Sequence, residues 1–280
     1  MERFDAADVR HYYDRHTAAF VALGEGRHSG AIHRAVWAPG VRSGDEAIHY
    51  VDDQIAAAVQ SLTSDQTPHV VDLGCGVAAS LIRLAGRLPI HGTGVTLSPV
   101  QARIASQKIS AAGLSRRLRC IEADFCALPA TVERADAAFA IESFVHVADV
   151  QRFFAQCREL IRPGGLLIIC DDFGSNVIDF AASRVVRRFR QGWHINTLLT
   201  VDELCEQART AGFEHESTQD LTPFLRIGRP RDRLIGVFLH VLKWLPVDAR
   251  RFDDLMGGQA LQTCLRQGWI QYQLATFRRR

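Results

Sequence analysis

An acidic residue followed by a glycine turn stands at the end of the first strongly apolar run of the chain. The run His69–Leu73 contains Asp72 and leads directly into Gly74-Cys75-Gly76. Glycines at such a turn let the backbone bend tightly and approach a ligand with no side chain in the way. The segment therefore predicts a nucleotide-cofactor site. The spacing from Gly74 to Ala79 also fits the fingerprint of dinucleotide-binding proteins, so the turn alone leaves the cofactor open.

Two later strand ends distinguish between the cofactors. A dinucleotide site needs an acid about 20 positions after the glycines, at the end of the second strand, to bind a ribose. Here that end reads Thr96-Leu97-Ser98-Pro99 and holds no carboxylate. The end of the third strand offers Asp124, which can accept a hydrogen bond from an adenine amino group. Together with Asp72 before the glycines, this pattern disfavours a nicotinamide cofactor.

From residue 65 to residue 175 the pattern resembles the class I S-adenosylmethionine (SAM) dependent methyltransferases. The resemblance implies SAM as the cofactor, with the strand-one acid and glycine loop at its methionine end and the third-strand acid at its adenine. The chain departs from the family pattern at Ala78, where a third glycine is usual, and at Thr96, where an acid is usual. The run 94–101 is similar to the tocopherol, sterol, cyclopropane-fatty-acid and prenyl diphosphate C-methyltransferase branches, in which a threonine and its neighbours replace that acid. The cofactor-binding residues so implied are Asp72, Gly74, Cys75, Gly76, Thr96, Leu97, Gln101, Asp124 and Phe125.

Glu142 and His146 follow the predicted fourth strand. Ligands of a doubly wound sheet bind beyond the carboxyl ends of its strands, where the strand order reverses. If strand one neighbours strand four, Glu142 faces the transferred methyl group, as a base or as a stabiliser of positive charge, and His146 can assist it. The Glu position is again similar to the lipid and isoprenoid branches, where methyl attack on an alkene leaves a carbocation that must lose a proton. We therefore predict C-methylation of an isoprenoid with Glu142 as the base. A simple contact between Glu142 and SAM stays open.

Aromatic and basic side chains are candidates for binding the methyl acceptor. The apolar stretch 234–245 and an arginine cluster near Trp193 suit a prenyl diphosphate, an apolar small molecule with an anionic head group. Mg²⁺ would accompany a diphosphate, although the sequence shows no metal motif, and the neighbouring Asp171 and Asp172 should face opposite sides of a strand. The candidate aromatic walls are Tyr12, Tyr13, Phe20, Trp37, Phe173 and Trp193. The predicted substrate-binding residues are Tyr12, Tyr13, His33, Arg34, Trp37, Arg188 and Trp193.

Three other functions remain as alternatives. The first is an O- or N-methyltransferase of natural-product biosynthesis, with Glu142 or His146 as the base. The second is an NAD(P)-dependent oxidoreductase, which the missing ribose acid disfavours. The third is a binding module that has lost catalysis, which the intact Asp72, Gly74 and Asp124 disfavour.

Short apolar runs that alternate with helical segments indicate an α/β protein with a Rossmann-like, doubly wound sheet. The resemblance implies seven strands with an antiparallel last strand, which we place at 69–73, 91–96, 118–123, 136–142, 165–171, 213–220 and 270–277. Helix-capping patterns at Ser43, Ser98, Asp149 and Thr200 mark four helix starts. We expect residues 1–65 to form a helical lid or substrate region, and residues 66–280 to form a SAM-binding core with a helical insertion at about 226–268.

Composition sets the remaining expectations. A chain of 280 residues with 47% hydrophobic residues can bury a large core, and a formal charge of +2 does not indicate a nucleic-acid partner. Seven cysteines without a metal-spaced pair favour a reducing compartment. Charged residues follow Met1, and no apolar run is long enough to cross a bilayer. We therefore predict a cytoplasmic protein with no membrane partner, and leave open whether it forms a homo-oligomer.

Overall fold

A computed structural model describes residues 3–23, 30–62, 67–177, 183–229 and 253–280. Within these residues, seven strands form one mixed sheet in the order β3-β2-β1-β4-β5-β7-β6. The strands are β1 (His69–Leu73), β2 (His91–Thr96), β3 (Leu118–Glu122), β4 (Ala135–Ile141), β5 (Ile161–Gly174), β6 (Phe213–Asp220) and β7 (Ile270–Arg279). The first five strands run parallel, and β7 is antiparallel to both of its neighbours. The predicted fold class is confirmed, and β1 lies beside β4.

The sheet is buried on both faces because helices cover both. Successive side chains of a strand point to opposite faces, so Val70 packs in one apolar layer with Leu81, while Val71 packs in the other with Phe153. All four side chains are fully buried, and each contributes about 1.5–3 kcal/mol through removal of apolar surface from water. This central packing holds the strand ends, and the loops that follow them, in fixed positions.

All four predicted helix starts have an N-cap side chain. Ser98 accepts the Gln101 amide at the start of α5 (Pro99–Ala111), and Asp149 caps α6 (Val150–Leu160) through the Arg152 amide. Thr200 and Glu203 form a complete capping box at the start of α8 (Val201–Thr210). In each case the cap satisfies backbone donors that the first helical turn cannot pair.

The helix predicted to begin at Ser43 and run to about residue 62 is in fact two helices. Ser43 caps α2 (Gly44–Ile48), and α3 (Tyr50–Gln60) follows after a break at His49. The His49 side chain bonds to Asp52 in the first turn of α3, with 2.7 Å between Nδ1 and Oδ2. The Glu46 carboxylate accepts the Arg42 amide, so the reciprocal half of the predicted capping box is absent.

Further helices border the strand ends. Helix α1 (Ala6–Leu23) packs on α5, and α4 (Ala79–Arg87) follows the glycine turn. Helix α7 (Arg184–Gly192) packs on α9 (Asp253–Arg266) through Phe189 and Cys264. Part of the predicted insertion, including the apolar stretch 234–245, lies outside the described residues. Within the described part of the chain, no helix is both long and apolar enough to cross a membrane.

Candidate functional site

A cavity of about 380 Å³ opens beyond the carboxyl ends of the parallel strands. Its walls include residues from the ends of β1, β2, β3, β4 and β5, together with α1 and the loop from residue 30 to residue 34. The strand order reverses between β1 and β4, which is the place where sheets of this kind bind ligands.

The glycine turn after β1 has the backbone conformation that only glycine adopts freely. Gly74 and Gly76 have φ angles of 94° and 52°. A Cβ on Gly74 would lie 2.4 Å from the Cβ of Ser143, so the turn has no space for a side chain. Ala78 caps α4 at a φ of 61°, a left-handed conformation that costs an alanine roughly 1 kcal/mol. The replacement of the usual third glycine therefore carries a modest strain.

Asp72 is a buried carboxyl group that faces the cavity and has no hydrogen-bond donor among the described residues. Its residue is 3% exposed, and no group in the described part of the chain donates a hydrogen bond to it. Burial, followed by the nearby charge of Asp52, raises the pKa of Asp72 well above its usual value. A buried carboxyl group without donors is unstable as an anion, and a positively charged ligand group beside it would stabilise the charge. The ammonium group of the methionine end of SAM would meet that need.

A buried ionic cluster of His33, His49 and Asp52 lies near Asp72. His33 Nε2 lies 3.5 Å from Asp52 Oδ1, and His49 Nδ1 lies 2.7 Å from Asp52 Oδ2. Burial opposes the charge on His33, but Asp52 overcomes it and raises the pKa of His33 to about 9. The same contact lowers the pKa of the Asp52 carboxyl group. Sequence reasoning missed Asp52, because nothing in an isolated helix indicates a buried charge.

The end of β2 is organised by hydrogen bonds among uncharged groups. The Thr96 hydroxyl donates to Gln101 Oε1 at 2.7 Å and accepts the Ser98 amide at 3.3 Å. The Ser98 hydroxyl in turn donates to Asp14 of α1, a contact that the sequence did not predict. Thr96, Leu97 and Gln101 all line the cavity, where they would face the ribose of SAM.

The end of β3 carries Asp124, the residue predicted to bind adenine, in the wall of the cavity. Asp124 Oδ1 accepts the Cys126 amide at 2.8 Å, which orients the carboxylate. Phe125 lines the cavity and packs edge-on against Phe153, with 5.8 Å between ring centres. The structure thus brings all nine predicted cofactor residues to one cavity: Asp72, Gly74, Cys75, Gly76, Thr96, Leu97, Gln101, Asp124 and Phe125.

Glu142 follows β4 with a φ of 50°, an uncommon conformation for a residue other than glycine. Its Oε1 accepts hydrogen bonds from the Arg34 amide at 2.8 Å and from the Tyr272 hydroxyl at 2.9 Å. The Arg34 guanidinium makes two bonds to Asp172, of 2.6 and 2.7 Å. Sequence reasoning missed Tyr272, which comes from the antiparallel strand β7, 130 residues after Glu142.

His146 is paired with Tyr13 of α1. The Nδ1 atom lies 3.0 Å from the His194 carbonyl oxygen, which can only accept, so Nδ1 carries the proton. Nε2 therefore accepts from the Tyr13 hydroxyl at 2.8 Å. Burial lowers the pKa of His146 to about 4, and burial, with nearby Tyr12, Asp171 and Glu142, raises the pKa of Tyr13. The pair is thus a neutral imidazole that accepts from a protonated phenol.

Five of the seven predicted substrate-binding residues line the cavity: Tyr12, Tyr13, His33, Arg34 and Trp193. Trp37 does not, since it packs in the small cluster around Ile48 with the Arg226 guanidinium over its ring. Arg188 does not either, because it is exposed on the outer face of α7. The placement of these two residues at the cavity was wrong, since neither could be oriented from the sequence.

The other aromatic and acidic candidates have structural contacts. Phe173 is fully buried and stacks on Phe144, and the side chain of Phe20 lies outside the described residues. Asp171 accepts the Val145 amide and the Asp172 amide. Asp171 and Asp172 thus bond to different partners, and the described residues hold no group of three side chains suited to a metal ion.

The sheet order, the glycine turn and the ring of cofactor-facing residues define a methyltransferase-type nucleotide fold. A methyltransferase-domain family model matches residues 71–169. The O-methyltransferase cnsE of Penicillium expansum is 30% identical over 198 residues, which cover 70% of each chain. The 27-O-demethylrifamycin SV methyltransferase of Amycolatopsis mediterranei is 26% identical over 229 residues, covering 81% of this chain and 82% of that one.

A solved structure of geranyl diphosphate methyltransferase with GPP and sinefungin shares the fold, with a TM-score of 0.72 at 19% identity, covering 98% of this chain and 99% of that one. The chain belongs to the SAM-dependent methyltransferases, and within them to those that act on small molecules.

Proposed function

We propose that this enzyme O-methylates a hydroxyl group of an uncharged natural product. The observation that carries the proposal is the Tyr13–His146 pair in the wall of the cavity. A hydroxyl group must lose its proton as the methyl group arrives, and the neutral imidazole of His146, whose Nε2 accepts the Tyr13 hydroxyl, can take that proton through Tyr13. Three of the relatives are named O-methyltransferases.

In the proposed reaction, the predicted cofactor-binding residues hold SAM, and Tyr13 and His146 transfer a proton. Asp72 would bind the ammonium group of SAM and Asp124 its adenine, and SAM when bound supplies an electrophilic methyl group. The acceptor hydroxyl would donate its proton to the Tyr13 oxygen, and Tyr13 would pass its own proton to His146 Nε2. The acceptor oxygen then forms its bond to carbon as the carbon–sulfur bond breaks.

The charges around the cavity favour an uncharged acceptor over a diphosphate. Asp171, Asp172 and Glu142 all line the cavity. The two arginines in the described part of its wall already have partners: Arg34 binds Asp172, and Arg152 donates to the Cys126 carbonyl oxygen at 3.0 Å. Of these two arginines, only Arg152 keeps an uncompensated charge, because its partner is a neutral carbonyl oxygen, so a diphosphate would find one basic partner rather than a clamp. The predicted arginine clamp and its Mg²⁺ therefore lack support in the described residues.

C-methylation of an isoprenoid is the second candidate. It is favoured by the carboxylate of Glu142 beside the aromatic rings of Tyr12 and Tyr13, since these groups would stabilise a carbocation. Under this alternative Glu142, rather than His146, would take the proton from carbon.

Incubation with SAM that carries a deuterated methyl group tests the two candidates. The acceptor panel contains alkylphenols, alkylcatechols, aliphatic alcohols, amines, and geranyl and farnesyl diphosphates. We expect labelled products from hydroxyl acceptors only, with the methyl group on oxygen by mass spectrometry and NMR. A C-methylated prenyl diphosphate as the labelled product would overturn the proposal.

A further inference from the structure

The two carboxylate oxygens of Glu142 have different surroundings. Oε1 accepts from the Arg34 amide and the Tyr272 hydroxyl. In the described part of the chain, no group donates to Oε2. The side chain is 17% exposed and lines the cavity, so one carboxylate oxygen remains for a ligand.

The carboxylate cannot easily turn away from this position. Asp172 and Tyr272 are direct partners in the register of β5 and β7, so they lie side by side. Arg34 binds Asp172 through two nitrogens, and its guanidinium lies 4.7 Å from the centre of the Tyr272 ring. Charge-assisted bonds of this kind are stronger than bonds between neutral groups. The ends of β4, β5 and β7 and the loop that carries Arg34 therefore hold Glu142 in place.

A fixed carboxylate whose second oxygen has no donor among the described residues can accept a hydrogen bond from a ligand in the cavity. In the proposed O-methylation the proton of the reacting hydroxyl passes to the Tyr13–His146 pair, so Glu142 is not needed as the base. A second donor group on the acceptor, close to the reacting hydroxyl, would satisfy Oε2.

We infer that Glu142 determines acceptor specificity by accepting a hydrogen bond from a second hydroxyl group of the acceptor, so that vicinal diols and catechols are preferred to single hydroxyls. Arg34 and Tyr272 are positioning residues that hold Glu142 for this contact. The inference rests on the proposed O-methylation, since it assigns the proton transfer to the other pair.

Matched acceptors test the inference. A 4-alkylcatechol is compared with the 4-alkylphenol of the same chain length, and a 1,2-alkanediol with the corresponding 1-alkanol. For the unaltered enzyme we expect kcat/KM to favour the diol member at least about tenfold, the effect of one buried hydrogen bond. Glu142→Gln should reduce this preference to about twofold or less. The two donors will hold the amide oxygen in the Oε1 place, which leaves an NH₂ group in the place of Oε2 that cannot accept.

Two further variants complete the test. Glu133→Gln makes the same chemical change at an exposed position outside the cavity and should keep the full preference. Tyr272→Phe removes one donor to Oε1 and should raise the KM of the diol while the Kd of SAM stays within twofold. A diol preference that survives Glu142→Gln would overturn the inference, as would an equal loss of kcat for both members of a pair. The absence of any O-methylated product would instead overturn the proposed function.

Discussion

At the scale of single residues, Asp72 combines deep burial with the lack of a protein donor in the described part of the chain. We therefore expect Asp72 to bind a cationic group of a ligand rather than to form an ion pair within the protein. Its raised pKa links SAM binding to pH, because the ligand requires the charged carboxylate. The affinity for SAM should accordingly increase as the pH rises through that pKa.

Asp72→Asn should weaken SAM binding by roughly 10- to 100-fold, because a charge-assisted bond contributes about 1.5–3 kcal/mol. It should also remove the pH dependence that Asp72 causes. Titration calorimetry with SAM across the acidic range measures both effects. Asp45→Asn, at an exposed position of α2, is the matched control and should bind SAM normally. Unaltered SAM affinity of the Asp72→Asn protein would show that Asp72 does not bind the cofactor.

The Tyr13–His146 pair predicts a kinetic signature. Tyr13→Phe and His146→Gln should each lower kcat by roughly 100-fold, within the range of general-base catalysis, while the Kd of SAM changes little. Because the two residues act as one unit, the double variant should be little slower than the slower single variant. The control is Tyr50→Phe, whose hydroxyl accepts from Gln219 away from the cavity. Normal turnover by Tyr13→Phe beside an inactive His146→Gln would show that His146 contacts the acceptor directly.

At the scale of elements, the glycine turn between β1 and α4 is constrained by both conformation and space. Gly74→Ala should lower the free energy of unfolding by about 1–3 kcal/mol, because it places a side chain at a φ of 94° and against Ser143. Urea unfolding gives the value, and calorimetry should show weaker SAM binding as the loop is displaced. In contrast, Gly86→Ala, in helix α4 with open space around it, should raise the stability by about 0.5–1 kcal/mol. Equal effects at the two positions would contradict this account of the turn.

The order of the sheet brings the catalytic candidates together. Because β1 lies beside β4, Glu142 and His146 reach the same cavity as Asp72. The antiparallel insertion of β7 beside β5 then adds Tyr272 to the site. This arrangement explains why a residue near the end of the chain contacts one that follows the fourth strand.

At the scale of the whole molecule, the buried pair of His33 and Asp52 should lower the free energy of unfolding as the pH becomes alkaline. The pKa of His33 is about 9 in the folded chain, against 6.5 for an unperturbed histidine, so the folded state holds its proton more tightly. The resulting stabilisation is fully present below pH 6.5 and is lost as the pH rises through about 9. The shift corresponds to roughly 3 kcal/mol at most.

His33→Gln should remove this loss of folding stability at alkaline pH. The free energy of unfolding, measured in urea at intervals from about pH 6.5 to about pH 9.5, should fall more steeply for the unaltered protein than for the variant. His91→Gln, at an exposed position, should follow the unaltered protein. Parallel curves for His33→Gln and the unaltered protein would show that the buried pair does not titrate in this range.

Most strands, the helix caps and the residues around the glycine turn could be predicted from the amino-acid sequence. The strand β1 follows from a hydrophobic run, and the caps at Ser98 and Thr200 follow from local hydrogen bonds, which involve residues close together in the chain. The glycine turn and Asp72 could be predicted for the same reason, since a strand, an acid and a turn form one continuous segment.

Only the tertiary structure decided which distant side chains meet. The contacts of Glu142 with Arg34 and Tyr272 span 108 and 130 residues, and they depend on strand order, register and the path of the loop before α2. The same dependence explains why Trp37 and Arg188, with suitable chemistry, lie away from the cavity. A local pattern specifies the type of element and its buried face, but the direction of a side chain relative to a distant element is fixed only when the sheet is assembled.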